Sequence, residues 1–300
     1  MEDLMRGGVD PDPVLVPIAE KEQLGYDQPS AEFNPSLQRK ALEHQEQIFA
    51  VVRPQVEEAI GRTVELTRIS ADYPDRAVTV QFRTVDEPVV AWHTVIGLQE
   101  DGSAKPYAAI ERIEGVEMYT VHGLYRMAYR DRFTRMREYL LTTYPQFTVL
   151  PDEYVRTHRM ADPMFDTSFL SGPWEEAAAD RAAEDAIYQA YLADPVRTDA
   201  EWRALFEEVA SDRLISLTVH LVLADPAVEL TEEVSRTIAE DVRTNPLFPG
   251  TTAWCVFTYS NLVVRDLDFF HQQYTLSTGL MGESDTGWDV QLDLDGGTQK

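Results

Sequence analysis

Three strand-like segments lie close together in the first half of the chain, and they restrict its fold more than any other feature. They span residues 63–70, 77–85 and 89–98. In the second segment, Val78, Val80 and Phe82 alternate with polar residues, which is typical of a strand with one buried face. Parallel strands need a crossover of about a dozen residues or more, and the linkers here are shorter. The spacing therefore predicts an antiparallel meander.

A helix is predicted before this meander. Ser36 is a suitable N-cap, and apolar residues recur at helical spacing from there to Gly61, which is expected to end the helix. Pro54 lies inside this pattern. Because proline lacks a backbone N–H and clashes with the preceding turn, we expect a kink or break just before it.

The second half of the chain alternates helical and strand-like patterns. Thr198 and Glu201 form the pattern of a capping box, which predicts that a helix begins there. Residues 214–223 alternate as a strand. Residues 253–259 and 262–267 are predicted to form a final hairpin that turns at Ser260 and Asn261.

These patterns favour the α+β class, with antiparallel sheets and helices packed on one face. We divide the chain into an extended N-terminal arm, two α/β halves and a polar tail with one terminal strand. The corresponding ranges are 1–34, 35–160, 175–270 and 271–300. The irregular residues 160–174, with Pro163, Gly172 and Pro173, are the candidate boundary between the halves.

The charge limits the classes of partner. The 300 residues carry 52 acidic and 26 basic side chains, a formal net charge of −26. Such a field repels phosphate backbones, so we expect no nucleic-acid partner and favour a protein with a basic surface.

No run of 18 apolar residues is present, so no transmembrane segment is expected. The lone Cys255 excludes an intrachain disulfide and is expected to be a buried, unreactive thiol. The sequence sets no oligomeric state.

Recognisable catalytic patterns are absent. The sequence contains neither glycine-rich nucleotide loops nor a Gly-x-Ser-x-Gly elbow, and it lacks a His-Glu-x-x-His pair. We therefore assign no catalytic residue, no cofactor and no metal ligand. One polar cluster remains as a candidate site: His93, Asp266, Asp268 and His271. The two aspartates would share a strand face, although such a face is more often simply solvated.

Short motifs in the middle of the chain resemble a known family. The segment Gly123-Leu-Tyr-Arg-Met-Ala-Tyr129 and the helix pattern around Thr198 and Trp202 are similar to an uncharacterised lipoprotein family known chiefly from staphylococci. The resemblance covers about residues 35–265. It implies a lipid-anchored α/β domain of the cell surface, with no assigned catalysis. No lipid-attachment cysteine is present here, so a cytoplasmic protein is the alternative expectation.

Three functional hypotheses follow. The first is a non-enzymatic binding or interaction protein of the bacterial cell envelope. The second is an acidic, immunity-type inhibitor of a basic protein, whose surface charge would steer the encounter. The third is a hydrolase whose catalytic groups converge from distant positions in the chain.

Overall fold

The computed structural model describes most of the chain. The described residues are 14–24, 35–71, 77–105, 115–157, 159–169, 174–209, 215–247, 253–264, 277–283 and 287–292. The helices in this part are α1 (Ile18–Leu24), α2 (Pro35–Glu43), α3 (Gln45–Ile60), α4 (Val116–Ala128), α5 (Arg130–Thr143), α6 (Asp152–Thr157), α7 (Trp174–Ala193), α8 (Asp199–Val209) and α9 (Glu232–Thr244). The strands are β1 (Leu15–Pro17), β2 (Val64–Ser70), β3 (Ala77–Thr84), β4 (Ala91–Gly97), β5 (Phe147–Thr148), β6 (Phe165–Phe169), β7 (Ile215–Leu223), β8 (Ala253–Tyr259), β9 (Leu262–Val264), β10 (Ser277–Glu283) and β11 (Gly287–Leu292).

The predicted meander forms a three-stranded antiparallel sheet in the order β2-β3-β4. Phe82 of β3 lies opposite Leu66 of β2 and Trp92 of β4. Helices α2 and α3 pack against β2, and their apolar side chains share one core with the sheet. The alternation in β3 and the short linkers were thus sufficient to predict this unit.

Of the kink or break expected before Pro54, the break is wrong. Helix α3 continues through Pro54, and the interruption lies at His44, between α2 and α3. A proline inside a helix costs roughly 3 kcal/mol. The buried residues Ile48 and Val56 lie on either side of Pro54, so a continuous helix keeps both in the core. Gly61 ends α3 as predicted, with φ at 66° and its N–H donating to the Glu57 carbonyl.

A larger mixed sheet has the order β11-β10-β8-β7, and the other edge of β7 pairs with both β5 and β6. Strands β7 and β8 are parallel, whereas the remaining pairs in this sheet are antiparallel. Helices α4, α5, α7, α8 and α9 contribute to its core, which contains the fully buried Trp202 and Phe206.

The predicted hairpin of residues 253–259 with residues 262–267 is also wrong. Strand β8 lies between β7 and β10, so both of its edges are occupied. Strand β9 therefore pairs with β1 in a separate two-stranded antiparallel sheet, with Val16 opposite Val263. The turn at Ser260 and Asn261 redirects the chain from one sheet to the other, where the Asn261 carbonyl and side-chain oxygen both accept from the Ile18 N–H.

The α+β class is confirmed by this arrangement of helices with antiparallel and mixed sheets. The division into an arm, two halves and a tail stays a prediction. None of the helices in the described part of the chain has the length and apolar character to cross a membrane.

The capping box at the start of α8 supplies the first prediction. The Glu201 carboxylate accepts from the Thr198 N–H at 2.8 Å, and Thr198 Oγ1 accepts from the Glu201 N–H at 3.3 Å. We expect Thr198→Ala to lower the free energy of unfolding by about 1 kcal/mol, because the N-terminal N–H groups of α8 lose an acceptor. Thr198→Ser is the control in urea denaturation, since it keeps the hydroxyl. An equal loss in both variants would contradict the capping role.

Candidate functional site

The predicted polar cluster is tested only in part. Asp266, Asp268 and His271 lie outside the described residues, so their convergence stays a prediction. His93 lies in β4, where its Nδ1 is 2.5 Å from an Nη atom of Arg159. A guanidinium only donates hydrogen bonds, so Nδ1 is the acceptor and a neutral ring carries its proton on Nε2.

Arg159 belongs to a layer of aromatic and charged side chains. Its guanidinium lies 5.1 Å from the Trp92 ring centre, and Trp92 stacks on Tyr119 of α4 at 4.1 Å. Arg159 has φ at 57°, a left-handed conformation that is uncommon for residues with a side chain. Such backbone strain persists where the surroundings hold it, and here His93 and Trp92 hold the guanidinium.

A second layer of polar groups comes from α4 and β6. Burial, together with the smaller effect of the neighbouring positive charge of Arg126, lowers the pKa of His122 to about 3. Burial raises the pKa of Asp166, an effect that the Arg126 charge opposes. The Arg126 guanidinium donates to Thr167 Oγ1 at 3.2 Å and to the Val89 carbonyl at 3.1 Å. Neutral His122 and charged Arg126 thus lie together behind the protein surface.

In front of this layer is a cleft of about 160 Å³. Four parts of the chain line it: the β3–β4 turn, α4, α5 and the loop before β6. The lining residues are Glu87, Val89, Gly123, Arg126, Met127, Arg130, Phe133, Thr134, Arg137, Ala161 and Asp162. A water molecule occupies about 30 Å³ of liquid, so the cleft has the volume of about five waters. It suits a ligand of only a few heavy atoms.

The charges of the lining are unusual for this chain. Three arginines, Arg126, Arg130 and Arg137, line it together with two acidic residues: Glu87 contacts Arg130, and Asp162 contacts Arg137. These five side chains sum to one positive charge in a chain of net charge −26, with Asp199 and Asp166 beside the lining. Low-dielectric walls focus such a local field, which makes the cleft the candidate functional site.

The two ion pairs of the cleft differ in how firmly they are held. Asp162 Oδ1 accepts from the N–H groups of Met164 and Phe165 at 2.8 and 3.0 Å, while its Oδ2 contacts Arg137. The Nε atom of Arg137 is buried without a hydrogen-bond partner among the described residues. Glu87, by contrast, is an exposed residue of the β3–β4 turn.

Gly123 allows the β3–β4 turn to approach α4. A Cβ atom at this position would lie 2.8 Å from Pro88 Cβ and 2.9 Å from the Val89 carbonyl oxygen. Both distances are shorter than van der Waals contact. The turn that carries Glu87 can therefore form one wall of the cleft only if residue 123 has no side chain.

A larger hollow of about 550 Å³ lies at the α2–α3 junction, lined by residues 42–47. One continuous stretch of chain forms it, without an opposing wall to enclose a ligand. We therefore place the candidate site at the arginine-lined cleft. Within the described ranges, no group of three or more His, Cys, Asp and Glu side chains is arranged to hold a metal ion.

Comparison with known proteins assigns the chain to a family. The family described as "Protein of unknown function (DUF1672)" matches residues 19–282. The chain belongs to this family. A crystal structure of a DUF1672 family protein from Staphylococcus aureus matches with a TM-score of 0.56 and 10% sequence identity. The match covers 89% of this chain and 98% of that chain. At this identity the likeness shows the fold alone. No curated protein matches.

Membership of the DUF1672 family confirms the resemblance to an uncharacterised staphylococcal family. The matched range includes every residue of the cleft lining. Because the family has no established function, membership does not assign a ligand to the cleft.

Sequence reasoning missed the cleft although one signal was present. His122 and Arg126 are four residues apart on one face of α4, and Arg130 follows at the first position of α5. Polar residues at this spacing within an otherwise apolar helix indicate a buried polar site. Asp162 and Asp166, whose charges act on Arg126, come from a distant part of the chain, and no local pattern predicts their position.

The close approach at Gly123 generates the second prediction. We expect Gly123→Ala to destabilise the protein by about 1–3 kcal/mol, because the overlap with Pro88 and Val89 exceeds the gain of about 0.5–1 kcal/mol in helix propensity. Gly97→Ala is the control, since the three atoms nearest to its Cβ all belong to the flexible Lys105 side chain. Thermal and urea denaturation measure both. A stabilised Gly123→Ala variant would show that the turn does not press on α4.

The buried His122 generates the third prediction. Its folded pKa of about 3 lies below the unfolded value of about 6.5, so the unfolded chain binds a proton first. Stability from this residue is complete above pH 6.5 and declines toward pH 3, by up to about 1.4 kcal/mol per pH unit. Burial raises the pKa of Asp166, which also makes stability depend on pH. Because the wild type and the His122→Phe variant both contain Asp166, its contribution cancels when their free energies of unfolding are compared.

We expect His122→Phe to lose less stability than the wild type between pH 6.5 and pH 4. Urea denaturation at a series of pH values measures the difference in free energy of unfolding. Parallel curves for the two proteins would mean that His122 is not held neutral by burial.

Proposed function

We propose that this protein is a non-enzymatic binding protein that takes a small anion in its arginine-lined cleft. The observation that carries the proposal is the convergence of Arg126, Arg130 and Arg137 on a space of about 160 Å³ in a strongly acidic chain. Arginine is suited to this role because its planar fork of donors matches carboxylate and phosphate oxygens.

The donors of the cleft support an anion over a neutral ligand. The buried Nε atom of Arg137 is without a hydrogen-bond partner in the described structure, and leaving such a donor unsatisfied costs about 1–3 kcal/mol or more. An anion in the cleft would bring further acceptors to the arginine side chains of the lining, Arg130 among them.

The polar groups of the lining support binding over hydrolysis. Its hydroxyl, that of Thr134, donates to the Arg130 carbonyl at 3.0 Å and is committed to helix α5. The Cys255 thiol is buried in β8, and burial raises its pKa to about 12, so the thiol stays protonated at neutral pH. These features favour the first of the three functional hypotheses over the third.

The setting of this role is also part of the proposal. We infer a binding function in the bacterial cell envelope, which is what the family resemblance implies. The net charge supports a protein partner with a basic surface over nucleic acid. The proposed anion can bind in the cleft whether or not a protein partner is bound.

The fourth prediction tests the cleft directly. We expect acetate or inorganic phosphate to bind the wild-type protein, and Arg137→Gln to weaken that binding about tenfold, since a hydrogen bond to a charged group contributes about 1.5–3 kcal/mol. Isothermal titration calorimetry and NMR titration measure the dissociation constants. Arg135→Gln is the matched control on the same helix, because Arg135 is exposed and lies outside the lining.

Two outcomes would count against the proposal. If neither anion binds the wild type, the cleft is a structural feature and not a binding site. If Arg137→Gln and Arg135→Gln bind equally well while circular dichroism shows both folded, the anion lies elsewhere.

A further inference from the structure

One arginine of the cleft is already occupied by a carboxylate of its own chain. Glu87 Oε1 accepts from Arg130 Nη1 at 2.8 Å, and Glu87 Oε2 accepts from Nη2 at 2.5 Å. This is the paired geometry in which a guanidinium binds a carboxylate ligand. We propose that Glu87 holds the place of the ligand, that an incoming carboxylate displaces it from Arg130, and that the ligand is a small monocarboxylate. This inference rests on the proposed function.

The Glu87–Arg130 pair is weak enough to exchange. The two side chains are 47% and 50% exposed, and ion pairs at such exposure contribute about 0–1 kcal/mol. The Arg137–Asp162 pair is more enclosed, with exposed fractions of 33% and 22%, and Asp162 also accepts two backbone N–H groups. Glu87 is therefore the carboxylate of the lining that can leave at small cost.

The backbone of the turn does not have to move for this exchange. Arg62 Nη1 donates to the Pro88 carbonyl at 2.8 Å, and its Nη2 donates to the Asp86 carbonyl. Thr84 Oγ1 also donates to Pro88 at 3.1 Å and accepts from the Val90 N–H at 2.9 Å. With its base held in this way, the turn can release Arg130 by a rotamer change of the Glu87 side chain alone.

Arg130 has a second contact that does not involve Glu87. Its Nε atom donates to Asp199 Oδ2 of α8 at 3.2 Å, and both side chains of this pair are about as exposed as those of the Glu87 pair. When Glu87 leaves, the Nη groups are free to bind another pair of oxygens. Arg130 thus contacts Asp199 through Nε and Glu87 through its two Nη atoms, so the Glu87 contact can be lost while the Asp199 contact remains.

The surrounding charges favour a monocarboxylate over a phosphate dianion. Asp162 lines the cleft, Asp199 contacts Arg130, and Asp166 lies close enough to Arg126 for their charges to interact. Replacing Glu87 by another single charge leaves the balance of the cleft unchanged. A dianion would add repulsion against these carboxylates.

The fifth prediction is tested with acetate and inorganic phosphate as probes, by NMR titration of the full chain. We expect Glu87→Gln to bind acetate about fivefold more tightly than the wild type, because the competing carboxylate is gone. Glu87→Ala, which removes the competing side chain altogether, is expected to behave alike. The gain for phosphate should be smaller than the gain for acetate.

Asp131→Asn is the matched control. Asp131 is adjacent to Arg130 in the chain but contacts Arg135 and Arg203, so the variant removes one nearby charge without freeing Arg130. We expect its affinity for acetate to stay within about twofold of the wild type. An equal gain in Asp131→Asn and Glu87→Gln would reduce the effect to net charge and overturn displacement.

The remaining outcomes separate the two proposals. Unchanged or weaker acetate binding in both Glu87 variants, with a wild type that binds, overturns the inference and leaves the proposed function standing. A larger gain for phosphate overturns the assignment to monocarboxylates. No binding of either probe to any variant removes the proposed function itself.

Discussion

The junction between the three-stranded sheet and the larger mixed sheet depends on the hydrogen bonds of the Arg126 guanidinium. This guanidinium donates to the Val89 carbonyl, next to the three-stranded sheet, and to Thr167 Oγ1 in β6 of the larger sheet. A charge enclosed between two layers destabilises a protein unless it is paired and hydrogen-bonded. The positions of Asp162 and Asp166 beside Arg126 follow from this requirement, since both carboxylates act on its charge. Burial is the main cause of the low pKa of His122, and the nearby charge of Arg126 lowers that pKa in the same direction.

The cleft is a consequence of the same junction. Helix α4 has to pass close to the β3–β4 turn for Arg126 to reach Val89, and Gly123 permits that approach. Arg130 and Arg137 follow on the next helix, α5, and complete the positive lining. Arg159 also affects the cleft. Its backbone has a left-handed conformation and its guanidinium contacts His93 and Trp92, and these contacts fix the loop that leads to Asp162. Stability and binding therefore rest on overlapping sets of side chains in this region.

Local patterns predicted the local structure well. The antiparallel meander, the stop at Gly61 and the capping box at Thr198 each depend on residues near one another in sequence, and each is confirmed. The expectation of one buried face for β3 is wrong, because Thr79 and Gln81 are buried as well. The errors arose where packing decides. Pro54 stays in a helix because its neighbours are buried, and β9 pairs with β1 because β8 already has two partners.

The site was harder to predict than the fold for a physical reason. Its defining contacts join residues far apart in sequence, such as Arg159 with His93 and Arg126 with Thr167. A histidine in a strand or an arginine in a helix is usually a structural or solvated residue, so the single residues carry little information. Only the four-residue spacing of His122 and Arg126 was visible in the sequence, and it indicates a helix face without indicating the residues that contact this face.

An anion that binds this cleft is repelled at long range by a chain of net charge −26 and attracted at short range by the arginines of the lining. Beyond about 8–10 Å, at physiological ionic strength, the surface charges are largely screened, so the bulk negative field reaches an approaching anion only weakly. Within the cleft the Arg137 side chain is 33% exposed, against 50% for Arg130, so the charge of Arg137 is screened less. Salt should therefore reduce the repulsion on approach more than the attraction at contact. An acidic protein can thus hold a small anion, provided that the cationic groups converge on an enclosed site and are not spread over its surface.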